Sequence, residues 1–96
     1  MIMSNENRDI RTSILAYERQ IEEMHLAFQQ YRVGQEKKMP DWEGMERALN
    51  VFSRRRIFDL ELSKQLDRVM YKFQNRKKIW LAWVEEYQKA GRIKPG

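Results

Sequence analysis

The sequence predicts an all-α fold. The expected form is an antiparallel helical hairpin, coiled-coil-like, whose long second helix completes a bundle by oligomerisation; a three-helix bundle is the alternative. Three observations carry this expectation. Apolar residues recur at alternating spacings of four and three over the first third of the chain, the mark of a helical seam. Only 4 Gly and 2 Pro interrupt 96 residues, too few for the turns of an all-β fold. A hydrophobic share of 42% is too high for a disordered tail.

The first helix reads clearly. Ile10, Ile14, Tyr17, Ile21, Met24, Phe28 and Tyr31 form the seam, and no Gly or Pro falls between Met1 and Val33. A helix over residues 6–33 would be roughly 42 Å long at about 1.5 Å per residue. Ser4 or Asn5 suits its cap, and Gly34 suits the left-handed position just past its end. Residues 1–5 and 91–96 are expected to be flexible ends. A loop over 34–41 contains Pro40, which cannot continue a helix, and closes on Asp41, a good cap for the next one. So short a connection predicts a reversal of direction.

From Trp42 to Ala90 there is no Pro, and Gly44 is the only Gly, which predicts one long helix over residues 42–90. Its seam runs through Met45, Ala48, Leu49 and Phe52, then through Leu62, Leu66, Val69, Phe73, Trp80, Trp83 and Tyr87. Between the two stretches Arg55 and Asp59 stand where apolar residues belong, so residues 53–57 mark a stutter or a bend. With no Gly, Pro or strong capping pair at that point, the continuous helix is preferred. Gly91 and Pro95 end it.

The two lengths disagree. A helix over 42–90 would run roughly 73 Å, so in a hairpin Ile10 reaches only to about Leu66. Val69 and everything beyond it would then lack a partner within the chain, forfeiting about 1.5–3 kcal/mol per large side chain left in water. Such a stripe predicts an interface. Phe73, Ile79, Trp80, Leu81, Trp83 and Tyr87 are therefore the candidate partner-binding residues, and the partner is a second copy of the chain or a larger protein. In the three-helix alternative the chain bends near Ser53–Arg56 and these aromatics are ordinary core.

Charge supplies a second reading. Residues 1–40 hold six basic and six acidic side chains, whereas residues 41–96 hold thirteen and eight, so the whole net charge of +5 lies in the second part. Arg54, Arg55, Arg56, Lys64, Arg68, Lys72, Arg76 and Lys78 are candidate contacts to a nucleic-acid backbone, with Tyr71 placed to stack.

Catalysis is not expected. There is no Cys, no Gly-rich phosphate loop, and a single His. Glu22-Glu23-Met24-His25 has the Glu-x-x-His spacing of di-iron bundles, with Glu18 one turn earlier, but these residues flank the seam and read as a solvated helix face. No cofactor, metal or small-molecule substrate is expected. The longest apolar run, Ile79–Val84, is far short of a membrane span, and the polar start shows no signal peptide, so a soluble cytoplasmic protein is expected.

Overall fold

The computed structural model describes the backbone of residues 2–90 and the side chains of residues 6–89. Three helices form: α1 (Ile2–Arg32), α2 (Trp42–Ser53) and α3 (Leu60–Ala90), with no strand among the described residues. The all-α expectation therefore holds. Helix α1 begins at Ile2, so Ser4 and Asn5 lie inside it and do not cap it. Nothing in the opening residues breaks a helix, and α1 runs without interruption from Ile2. The ending proposed at Gly91 and Pro95 and the flexible end over 91–96 lie outside the described residues.

Helix α1 stops where Gly34 takes φ 82°. The Gly34 N–H donates to the Tyr31 carbonyl at 3.1 Å and the Gln35 N–H to the Gln30 carbonyl at 2.8 Å. This is the Schellman pattern that a C-terminal glycine permits. Asp41 caps α2, accepting from the Gly44 N–H at 3.0 Å.

The continuous helix over 42–90 is overturned. Helix α2 ends at Ser53, where the Arg54 and Arg55 N–H groups reach back three residues to Val51 and Phe52 and tighten the last turn. Asp59 then starts α3: its carboxylate accepts from the Leu62 N–H at 3.0 Å, and its carbonyl accepts the first helical bond from Ser63. The two residues that spoil the seam thus mark the break. A few lost helical hydrogen bonds cost about 0.5–1.5 kcal/mol each. Against that, Leu62, Leu66, Val69, Phe73, Trp80 and Val84 all become buried, at about 1.5–3 kcal/mol per large side chain. Burial wins.

The break turns the chain back so that α3 runs parallel to α1. Glu18 meets Lys72, Glu22 meets Arg76 and Arg32 meets Glu86, each pair 54 residues apart. Partners that advance together along both helices require a parallel pair. Helix α2 is antiparallel to both, with its start at Lys77, which pairs with Glu46 at 2.6 Å, and its end at Tyr17, whose ring lies 5.4 Å from that of Phe52. It rests mainly on α3. Twelve residues of α2 cover only part of two 31-residue helices.

Aromatic rings fill much of the α1–α3 interface. Phe28 and Trp80 stack at 4.9 Å and 13°, Phe73 meets Trp80 edge-on at 5.9 Å, and Tyr31 meets Tyr87 at 4.9 Å. Trp80 is 0% exposed and donates from Nε1 to His25 Nδ1 at 3.1 Å. The premise that the chain beyond Val69 lacks an internal partner is therefore corrected, because α1 itself covers that stripe.

Trp80→Ala should destabilise the fold by about 3–5 kcal/mol, as a deleted core aromatic does, measured by urea unfolding followed by circular dichroism. Asp59→Ala should cost about 1 kcal/mol and Asp59→Asn only a fraction of that, since Asn also caps; equal losses would show that the carboxylate does not act as a cap.

Candidate functional site

The predicted partner-binding residues divide into two groups. Phe73 and Trp80 are fully buried, and Trp83 and Tyr87 are half-buried against α1. The Trp83 ring lies 5.2 Å from His25 and carries the Arg32 guanidinium 4.4 Å above it. Only Ile79 and Leu81 of that set are exposed. Parallel pairing is the reason, since it brings the aromatic stretch of α3 against the Phe28–Tyr31 stretch of α1.

The basic residues divide as well. Lys72 pairs with Glu18 and Glu22, and Arg76 pairs with Glu22 at 3.0 Å. Arg76 stands in the seam itself, between Phe73 and Trp80, and is half-buried, so it is not the open backbone contact expected of it. Arg54, Arg55, Arg56, Lys64, Arg68 and Lys78 stay exposed, and among the described residues none pairs with a carboxylate. Arg55 instead lies over the Phe52 ring at 5.6 Å.

Glu18 and Glu22 are exposed, as a solvated flank should be, but they reach across to α3, where the Glu22 oxygens are taken by Lys72 and Arg76. His25 departs from that reading: it is half-buried, with its Nδ1 taken by the Trp80 indole. Among the described residues no group of three His, Cys, Asp or Glu side chains could hold a metal. Hydrogen bonding from Lys72, reinforced by the charges of Arg76 and Lys72, holds the Glu22 carboxyl below its ordinary value despite partial desolvation. Desolvation pushes His25 below its ordinary value, and the Arg76 charge pushes it further.

The surface that sequence reasoning missed lies at the α2–α3 corner. Helix α2 turns Leu49 and Phe52 inward and leaves Val51 62% exposed. Beside Val51, a cleft of about 500 Å³ opens between α1 and α2, lined by Tyr17, Arg47, Ala48, Val51, Phe52 and Arg55. Its floor is apolar, and its two cations are Arg47 on α2 and Arg55 just past the end of that helix. On the other side of the Arg54–Arg56 run, Phe58 is 77% and Leu60 68% exposed. A smaller cleft there is lined by Glu6, Asn7, Ile10, Arg56, Phe58 and Asp59. A signal was present: Val51, Ile57, Phe58 and Leu60 are more apolar residues than one seam could bury. Another cleft, of about 490 Å³, lies between α1 and α3 and includes Arg11, Leu15, Gln65 and Arg68.

The one imidazole has its Nδ1 engaged by an indole. Arginines line both clefts at the corner, with the carboxylates of Glu6 and Asp59 in the smaller one. No family model matches the chain, and no curated protein and no solved structure matches it. Among the described residues no helix is long and apolar enough to cross a membrane.

His25 gives the fold a pH dependence of known sign. Its folded value lies below the unfolded one, so the unfolded chain binds the proton more readily. The stability held by the neutral ring is complete above about pH 6.5 and is lost as pH falls through the lower folded value. Glu22 adds a second loss in the same direction, below the ordinary carboxylate range. The urea midpoint should fall on acidification, and His25→Asn should flatten the part of the slope just below neutrality. An unchanged slope in that variant would remove His25 as its source.

Proposed function

We propose that this protein is a non-enzymatic helical interaction module, an adaptor, inhibitor or small structural subunit that docks on a larger protein. The observation that carries the reading is the apolar surface of the α2–α3 corner. Val51, Phe58 and Leu60 are exposed around a run of three arginines, and among the described residues nothing covers them. Single exposed apolar residues are ordinary on a folded surface, but several grouped on one side of the molecule, with two clefts among them, normally mark a docking surface. Ile79 and Leu81 would extend the contact onto α3. Self-association remains part of this proposal, as does a cytoplasmic setting. A larger partner is favoured over a second copy, because a chain of net charge +5 repels its own kind at a basic surface.

Nucleic acid is the second reading, favoured by the six exposed cations without carboxylate partners. Lys72 and Arg76 have such partners in Glu18 and Glu22, which leaves the corner arginines and the outer face of α3 as the footprint.

Two measurements decide between the readings. Light scattering over a range of concentrations reports self-association. Affinity capture from source cells should retain a protein with the wild type that is lost with Val51→Asp combined with Phe58→Ser, both exposed and expected to cost little stability. Absence of self-association together with no such difference would overturn the module reading. Binding of a duplex oligonucleotide that falls steeply with salt, and disappears when Arg54, Arg55 and Arg56 become Gln, would move the function to nucleic acid.

A further inference from the structure

We propose that the α1–α2 cleft receives an amphipathic helix with acidic flanks from a partner protein, laid alongside α2 as the fourth helix of a bundle. The inference rests on the module reading and names the chemistry of the partner. Its basis is the one-sided seating of α2. At 100° per residue, Trp42, Met45, Leu49 and Phe52 fall on one stripe of the helix, and this stripe joins the core. Ala48 lies beside that stripe and Val51 further round the helix, and both line the open cleft with Arg55 and, across from them, Tyr17. Because α2 leans on α3, its α1 side is left as a trough with an apolar floor. Ala48 keeps the trough shallow enough for another helix to approach.

The shape fits a helix better than a flat surface. A concave strip between two helices takes side chains spaced at i, i+3, i+4 and i+7 of a third one. Charge then decides which helix. Arg47 on α2 and Arg55 just past its end both line the cleft, and among the described residues neither pairs with a carboxylate. Arg54 and Arg56 add to the same field. An incoming helix with Lys or Arg beside its apolar stripe would meet like charge, whereas Glu or Asp there would meet both arginines. The acidic helix is the complementary one.

The test is selection of a displayed library of amphipathic helices on the full chain, with the positions flanking the apolar stripe randomised among Asp, Glu, Lys, Arg and Gln. Enriched helices should carry Asp or Glu at those positions. Their affinity should fall at least about tenfold, equivalent to ~1.4 kcal/mol, with Val51→Asp and separately with Arg47→Glu plus Arg55→Glu. It should also weaken as salt is raised. Each variant changes exposed side chains, and circular dichroism checks that it stays folded. Enrichment of neutral or basic helices, or affinity indifferent to both variants, overturns the acidic-helix assignment while leaving the capture result for the module reading untouched. Enrichment of no helix overturns the assignment as well, and the capture experiment alone then decides whether the protein is a module.

Discussion

The parallel contact between α1 and α3, closed by the Phe28–Trp80 stack, is the interaction on which the rest of the molecule depends. Two parallel neighbours in one chain need a return path, and α2 with its two connections is that path. The return needs only enough length to bring Leu60 back beside the first turns of α1, so a 12-residue helix between 31-residue neighbours is sufficient. Surface ion pairs such as Glu18–Lys72 and Arg32–Glu86 contribute about 0–1 kcal/mol each. They act chiefly on register, since a slip of either helix would separate all of them together.

The short return helix also sets how each part of the bundle is covered. Its end lies at Tyr17 and its start at Lys77, so it lies over the stretch of the pair that includes Phe73. Ile10, Ile14, Leu62 and Leu66 lie beyond its end, where the 54–59 connection passes Ile10. Beyond its start, Tyr31 meets Tyr87 and the Arg32 guanidinium lies on Trp83. The open side of α2 is the complementary consequence, because a helix seated against one neighbour leaves its other flank uncovered.

Cations of the same type serve different ends according to the face they occupy. Lys72, Arg76 and Lys77 point across helix interfaces to Glu22 and Glu46, and Arg76 does so from a seam position. Arg47, Arg54, Arg55 and Arg56 surround apolar surface, and among the described residues none pairs with a carboxylate. An i, i+4 series of basic residues looks identical in both situations until the neighbouring helix is placed.

The residues themselves determined the helical class, the end of α1 at Gly34, the cap of α2 at Asp41 and the apolar seams. Each of these depends on hydrogen bonds or periodicity within a few residues. The break at Arg54–Asp59 was half legible, since Arg55 and Asp59 spoiled the seam, but a spoiled seam does not distinguish a stutter from a turn. The choice depended on whether α3 could bury Leu62 through Val84 against α1, a gain made between residues more than fifty apart. The same distance hid the corner surface, for Val51 becomes an exposed residue only once α2 has leaned toward α3. Local chemistry settled which segments are helices, and long-range burial alone decided how they pair and which faces they leave uncovered.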